Sequence, residues 1–318
     1  MSDPARLDRA TEPATEPRRR LRLDGGAGVL PVILGTIAIA IIFQSLNDRF
    51  LSTGNLVNLL VQASVFMLIG MGQVFVLLLG EIDLSLGFVA GIAGVVVTEL
   101  VQPAVRWPWW AAVLAALAVT AAIGFFQGTL ITRLRLPSFV VTLAGLLGWQ
   151  GVMIILLGAG GTIPIPDRTI NAIANGTLTP RAGWLLTALV VALFAVVTFR
   201  LDGRRRRSGL AAPPASLSWL KVGAAAAAGV ALMLVTNADR GVGAFQLRGM
   251  PYVIPLVFGV LVLWSFVLGR TRFGRYVYAI GGNAEAARRA GIALARVRTL
   301  AFTLAALTAG IGGIVYAS

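Results

Sequence analysis

Apolar runs about as long as a bilayer is thick recur along the chain, and they decide what it can fold into. A helix needs roughly 20 apolar residues to cross the hydrocarbon core, and 57% of the 318 residues are hydrophobic while only 13% are charged. Soluble domains carry about 25% charged residues, so this chain has too few charged residues to cover a surface that faces water. The sequence predicts an all-α, polytopic membrane protein with about nine transmembrane helices. The predicted spans are residues 28–43, 57–79, 86–101, 109–131, 138–157, 184–199, 222–236, 251–268 and 299–315.

The composition excludes several kinds of chemistry. The chain has no His and no Cys, which excludes Ser-His-Asp triads, disulfides and metal sites with imidazole or thiolate ligands. Its single lysine, Lys221, follows Ser-Trp-Leu and not a glycine-rich loop, so the chain has no P-loop for a nucleotide. The composition therefore excludes the enzymes and metal proteins that depend on these groups.

The basic residues predict an orientation in the membrane. The net charge is +14, and arginines and lysines collect in the cytoplasmic loops of membrane proteins. With the N-terminus inside, the 27 basic residues divide 21 to 6 in favour of the inner segments. This bias explains the charge without a nucleic-acid partner. It predicts a multi-pass protein with a cytoplasmic N-terminus, which we expect in the cell membrane (plasma or inner membrane).

The polar segments divide the chain into a tail and a membrane domain. Residues 1–27 are rich in Pro and Arg, and we expect a disordered basic cytoplasmic tail. Residues 28–318 form the transmembrane domain. Its long connections are expected to be an outer loop at 158–183, a flexible arginine-rich inner loop at 200–218 and an inner loop at 269–298.

Two carboxylates interrupt a continuous apolar region. Glu81 and Asp83 lie in the run Gly-Glu-Ile-Asp-Leu-Ser-Leu-Gly at 80–87, and an unpaired carboxylate in hydrocarbon costs about 3 kcal/mol on insertion scales. The run predicts a break between two helices, where Asp83 or Ser85 accepts backbone N–H groups at the start of the second helix. A capped turn and a direct role in gating both remain open for these residues.

Polar side chains within the apolar spans form a second set of candidates. Gln73 and Gln150 can hydrogen-bond a neighbouring helix or a hydroxylated substrate, and helix packing is the commoner role of such groups. Together with Glu81, Asp83 and Ser85, these glutamines are the candidate residues of a translocation path or gate.

The inner segment at 269–298 contains a second motif. Asn283 is a favourable N-cap, and Glu285 in the first turn suits the helix dipole. These signals predict a short helix over 283–298 that lies along the membrane. Arg288 and Arg289 on that helix suit either lipid phosphates or a docking surface for a cytoplasmic partner, and the pattern favours docking.

Three motifs together resemble one family, the permease subunits of bacterial sugar ABC importers of the ribose and xylose type. They are residues 80–87, the run Leu-Pro-Ser-Phe-Val-Val-Thr-Leu at 136–143, and Gly-Arg-Tyr-Val-Tyr-Ala-Ile-Gly-Gly-Asn at the start of 274–292. Glu81 before Ile82 and the run Gly-Thr-Ile-Pro at 161–164 look most like the xylose branch.

The resemblance implies a permease that forms a path for a monosaccharide and couples to a separate ATPase. We therefore expect that the chain is a transport subunit and not an enzyme, and that it needs no cofactor. The resemblance also implies three protein partners, which are an ABC ATPase subunit, an extracytoplasmic sugar-binding protein and a second permease copy, and it places the permease in the lipid bilayer. The residues that would couple to the ATPase are Gly281, Gly282, Asn283, Glu285, Ala286, Arg288, Arg289 and Gly291. Family members usually continue past Ser318, so we expect a C-terminal part of the family fold to be missing.

Two other functions stay open at this point. One is an ABC permease for another small solute, such as a branched-chain amino acid, although a charged substrate needs counter-charges that are scarce here. The other is a secondary transporter driven by protons or sodium. That transporter would need titrating carboxylates at membrane depth, for which Glu81 and Asp83 are the only serious pair.

Overall fold

The computed structural model describes residues 29–241 and 246–318, which fall into two compact units that meet in sequence at Ser52 and Thr53. The described part is helical apart from its connections and one pair of short strands. The long helices are α1 (Val29–Leu46), α2 (Thr53–Leu77), α3 (Leu86–Leu100), α4 (Trp109–Arg133), α5 (Ser138–Leu157), α7 (Pro180–Arg207), α8 (Ala215–Asn237), α9 (Val253–Arg270) and α12 (Leu294–Ala317). The short elements are α6 (Arg168–Asn175), α10 (Arg272–Gly282), α11 (Ala284–Arg289), β1 (Thr177–Leu178) and β2 (Met250–Pro251).

Seven described helices are long and apolar enough to cross a membrane. They are α2, α4, α5, α7, α8, α9 and α12, while Leu30–Leu46 and Leu86–Leu100 are apolar but shorter. The chain is thus a polytopic, all-α membrane protein, as predicted. The expected total of nine spans is not confirmed.

The first unit contains α1 and the turn that follows it. The ring of Phe50 stacks on that of Phe43 at 5.3 Å. The backbone N–H of Leu51 donates to Gln44 Oε1 at 2.8 Å, so the turn folds back on the end of its own helix. The predicted tail, residues 1–27, lies outside the described residues.

Helix α12 is the centre of the second unit and packs against α2, α3 and α4. Small residues allow the contacts. A Cβ on Gly72 of α2 would lie 2.6 Å from the carbonyl oxygen of Ala305, and one on Gly124 of α4 would lie 2.6 Å from the Cβ of Ala306. Backbones approach this closely only where side chains are absent, which is the usual way that helices associate in lipid.

Helices α7 and α8 form a hairpin that packs mainly on itself. The Oγ of Ser218 donates to Asp202 Oδ2 at 2.6 Å near the turn of the hairpin. Helix α7 continues through Arg204–Arg207 and α8 begins at Ala215, so the expectation that 200–218 is a flexible loop is wrong for its first eight and its last four residues. Arginine is a good helix former and suits the C-terminal end of the helix dipole, which favours this extension.

The connections lie at the two ends of the second unit. At one end, α6 and strand β1 occupy the segment predicted as an outer loop. Strand β1 pairs antiparallel with β2, which lies between α8 and α9, and Asn175 Nδ2 donates to the carbonyl of Ser318 at 2.7 Å. At the other, which we call the α11 end, α10 and α11 occupy the predicted inner loop. The expected single helix over 283–298 is wrong, because Gly291 at φ +81° ends α11 before α12 begins.

Candidate functional site

The loop 78–85 joins α2 to α3 at the α11 end, at the break that the sequence predicts. Gly80 adopts φ +75°, the left-handed conformation that glycine reaches without a steric penalty. The N–H of Glu81 bonds to the carbonyl of Val76 at 3.1 Å and that of Gly80 to Leu77 at 2.9 Å. This pair of bonds is the Schellman motif, which satisfies the last carbonyls of α2 and turns the chain.

Asp83 is the buried polar centre of this loop, with 5% of its surface exposed. Its Oδ1 accepts the backbone N–H of Ser85 at 2.8 Å and the hydroxyl of Ser85 at 2.7 Å. Since that hydroxyl has one proton, Ser85 Oγ accepts from Gln127 Nε2 at 3.0 Å. Asp83 Oδ2 is buried and has no partner among the described residues.

The prediction that Asp83 or Ser85 caps α3 is correct for the position of the helix start and wrong for the hydrogen bonds. Ser85 occupies the N-cap position of α3, yet its side chain accepts no N–H from that helix. Asp83 accepts a backbone N–H, but the donor is Ser85 and not a residue within the helix. The two side chains bond each other and α4 because the turn is buried against that helix.

The backbone of the loop is tied to two more helices. With its amide oriented to satisfy both atoms, Gln73 of α2 donates to the carbonyl of Asp83 at 3.1 Å and accepts the N–H of Asp83 at 3.2 Å. Thr142 of α5 donates its hydroxyl to the carbonyl of Ile82 at 3.2 Å. Gln73 therefore joins the Asp83 cluster. Gln150, half-buried on α5, makes no hydrogen bond to another described residue.

Glu81 bonds to the beginning of α12. Its Oε1 lies 3.3 Å from Arg298 Nε, and the two side chains are 14% and 30% exposed. The Nε forms no well-aligned hydrogen bond, so the contact is an ion pair held by charge. The predicted topology places both Glu81 and Arg298 on the inner side of the membrane. No sequence motif, however, indicates that these two residues, 217 positions apart, form a pair.

The segment formed by α10 and α11 packs directly on loop 78–85. The carbonyl oxygen of Leu78 occupies the place that a Cβ on Gly281 would take. Beside this contact, Val277 and Ile280 of α10 and Ala287 of α11 share a buried cluster with Leu79. By contrast, a Cβ on Gly282 would meet nothing within 4 Å, so only the first of these two predicted glycines is close-packed.

The outer surface of α11 is polar and exposed. Asn283 caps the helix by accepting the N–H of Ala286 at 2.9 Å, as predicted. Glu285 accepts from Arg288 at 2.8 and 3.0 Å and from Arg289 at 3.1 Å. Hydrogen bonds from Arg288 and then Arg289 hold the pKa of Glu285 below its usual value. Ala286 and Gly291 are exposed as well, as are the other predicted coupling residues.

Comparison with known proteins identifies the family. A family model described as the permease component of the branched-chain amino acid transport system matches residues 55–318. No solved structure matches the chain.

Three curated relatives illustrate the similarity. The xylose transport system permease protein XylH of Escherichia coli K12 is 32% identical over 296 residues, which cover 91% of this chain and 72% of that protein. XylH of Haemophilus influenzae is 31% identical, covering 90% and 75%. The ribose import permease protein RbsC of Bacillus subtilis is 26% identical, covering 97% and 74%.

The family match spans most of the chain and contains every candidate residue described above. The resemblance stated from the three motifs is thus confirmed, and the role is one of transport and not of catalysis. The chain belongs to the family of ABC transporter permeases that includes the xylose and ribose types.

Proposed function

We propose that this chain is the membrane-spanning subunit of an ABC importer for a monosaccharide, xylose or a related pentose. The names of its relatives, which describe xylose and ribose transport, support a sugar as the substrate. The observation that carries the coupling role is the contact between Gly281 and the Leu78 carbonyl. It joins an exposed docking surface to a buried polar loop.

In this proposal the exposed surface of α11 docks on a separate ATPase subunit. Residues 283–291 present capped, charged and solvent-exposed groups, while Ala287 faces the interior. Movement of α11 displaces loop 78–85 through Gly281 and the cluster around Leu79. The ion pair of Glu81 with Arg298 extends that displacement to α12.

The same loop is the proposed gate. Its bonds reach α2 through Gln73, α4 through Gln127 and α5 through Thr142. A shift of the loop therefore alters three helices together, which suits alternating access to a path beside them. Gln150 enters the proposal as a half-buried amide on α5 that is free to bond a sugar hydroxyl.

The partners and orientation complete the proposal. A sugar-binding protein delivers the substrate on the extracytoplasmic side, and a second copy of the chain encloses the path. The N-terminus and α11 face the cytoplasm of the cell, and the chain lies in the inner membrane. A cytoplasmic reporter fused at Gly209 should be active and one fused at Pro166 silent; activity at Pro166 would overturn this orientation.

The decisive experiment compares Gly281→Ala with Gly282→Ala in the reconstituted transporter. The first variant should lose ATPase binding or sugar-stimulated ATP hydrolysis, because its Cβ displaces the Leu78 carbonyl. The second should retain both, since its Cβ meets open space. Equal membrane insertion of the two variants shows that the loss is not a failure to fold. Normal coupling in Gly281→Ala would refute the coupling role.

Substrate and energy source need a second measurement. Uptake of labelled xylose and ribose should require the co-expressed ATPase and should persist when the proton and sodium gradients are collapsed. Uptake that follows the ion gradient would favour a secondary transporter. ATP-dependent uptake of a branched-chain amino acid and not of a sugar would favour the other ABC permease.

A further inference from the structure

Two adjoining cavities lie beside α4 and α5 at the α11 end, and they differ in chemistry. One has a volume of about 490 Å³ and is lined by Glu81, Thr132, Arg135, Ser138 and Arg298 together with apolar groups. The other, about 400 Å³, is a groove between α4 and α5. Leu136 lines both. A polar cavity therefore borders an apolar groove at the end of a membrane helix.

The polar cavity holds one uncompensated positive charge. Arg298 is paired with Glu81 at 3.3 Å. Arg135 is exposed and forms no ion pair or hydrogen bond with another described residue. It sits at φ +53°, a conformation that is uncommon for any residue other than glycine. The charge of Arg135 thus remains free for a ligand.

The groove is suited to a hydrocarbon chain. Its lining includes Phe126, Leu130, Val140 and Trp149, and Phe126 and Val140 are each 53% exposed. Its one amide, Gln127, already donates to Ser85. The floor is open at Gly148, where an added Cβ would meet nothing within 4 Å.

The position matches the boundary between lipid headgroups and chains. Helix α4 has 25 residues, which at about 1.5 Å per residue is long enough to cross the hydrocarbon core of roughly 30 Å. Arg135 comes two residues after the end of that helix. Phosphate groups of a bilayer lie at this depth, and an arginine binds a phosphate through charge-assisted hydrogen bonds.

We propose that this pair of cavities binds one anionic glycerophospholipid, with its phosphate on Arg135 and an acyl chain in the groove between α4 and α5. A lipid with a single negative charge balances the free guanidinium, since Glu81 and Arg298 neutralise each other. Since Leu136 lines both cavities, the groove lies next to the polar cavity, and this proximity favours a lipid over free phosphate, which leaves the groove unfilled. The site is separate from the exposed surface of α11, and the proposal does not depend on the transported substrate.

The test uses the full chain in phosphatidylcholine nanodiscs and phosphatidylglycerol with brominated acyl chains as the probe. Bromine quenches the fluorescence of a nearby indole, and Trp149 lines the groove. A saturable quenching component should appear with brominated phosphatidylglycerol and disappear in Trp149→Phe. Equal quenching by brominated phosphatidylcholine would mean ordinary surrounding lipid and would overturn the proposal.

Two matched pairs of variants locate the headgroup and the chain. Arg135→Gln should weaken the component about tenfold, the loss expected for a charge-assisted bond, whereas Arg135→Lys should retain most of it. Arg133→Gln, an equal loss of charge that does not line the cavity, should leave it unchanged. Gly148→Leu should abolish it by filling the groove, and Gly151→Leu, in open space outside the lining, should not.

The remaining outcomes decide against the proposal. Equal effects of Arg133→Gln and Arg135→Gln would mean that the positive surface charge attracts anionic lipid in general and that no specific site exists. Competition by millimolar inorganic phosphate at constant ionic strength would identify a free-anion site. Cross-links between two copies at Gly148→Cys, without quenching, would assign the groove to a second copy of the chain.

Discussion

The central helix α12 and the hairpin α7–α8 are both apolar, yet they are held in different ways. In the most apolar window of α12, 61% of residues are buried, against 6% in α7 and 11% in α8. The carbonyl oxygen of Ala90 occupies the place that a Cβ on Gly313 would take. In the hairpin, the corresponding contact at Gly229 is with the methyl group of Thr187.

The difference shows that hydropathy alone does not reveal which membrane helices are central. Lipid tails are as apolar as leucine, so burial of apolar area does not drive helices together there. Close packing does, and it requires small residues. Residues 305–313 of α12 are almost all Ala, Gly or Thr, while residues 189–197 of α7 are mostly Leu, Val and Phe.

The largest expected effect is that of Gly313→Val. Its side chain must displace the backbone of Ala90, and overpacking of this kind costs about 3 kcal/mol or more. We expect a marked fall in the melting temperature in detergent, measured by tryptophan fluorescence. Gly223→Val in α8, where a Cβ meets nothing within 4 Å, is the matched control and should change stability by less than about 0.5 kcal/mol. Equal losses in the two variants would contradict the contrast between the two regions.

Asp83→Leu is expected to have the next largest effect. It leaves the N–H and hydroxyl of Ser85 without their acceptor in a buried turn, at a cost of about 1–3 kcal/mol. Asp83→Asn keeps the Oδ1 acceptor and should retain most of the folded yield and most of the uptake. If Asp83→Asn abolishes uptake at normal protein levels, the carboxylate charge itself has a role in gating.

A smaller effect is expected inside the hairpin. Replacing a helical glycine with alanine favours the helix by up to about 1 kcal/mol, and Gly223→Ala should show that gain. Gly229→Ala should not, because its Cβ lies 2.7 Å from Thr187 Cγ2. Adding Thr187→Ser removes that methyl and should restore the gain in thermal unfolding. No recovery in the double variant would mean that this contact does not hold the hairpin.

Local signals predicted the helix ends where glycine or a cap decides them. Gly80 and Asn283 have the expected roles. The signal at Gly291 was also in the sequence: it lies between a short polar helix and the next apolar run, and it ends α11. The polarity of the arginines at the end of α7 predicts a loop, yet they are helical because the helix propensity of arginine is high.

Contacts between distant segments were not predictable from the sequence. Nothing near Glu81 indicates Arg298, and nothing near Ser85 indicates Gln127, because these pairs exist only once α12 and α4 are packed. Gly281 and Gly282 are adjacent glycines, and no local sequence signal distinguishes their roles. Only the position of loop 78–85 makes one of them close-packed and leaves the other open.

The smallest expected effect concerns Glu285 on the exposed helix α11. Its bonds to Arg288 and Arg289 lower its pKa in the folded state, so their stabilisation is present above the unfolded pKa and is lost as the pH falls through the folded value. The stabilisation is therefore constant between pH 6 and pH 8.

Glu285→Gln should loosen α11 and accelerate tryptic cleavage after Arg288 by less than about twofold, since exposed ion pairs contribute little. Cleavage after Arg207 is the internal reference, and the ratio of the two rates should not change across that pH range. A ratio that changes between pH 6 and pH 8 in the native chain, but not in Glu285→Gln, would mean that the carboxyl titrates there and that the two arginines do not lower its pKa.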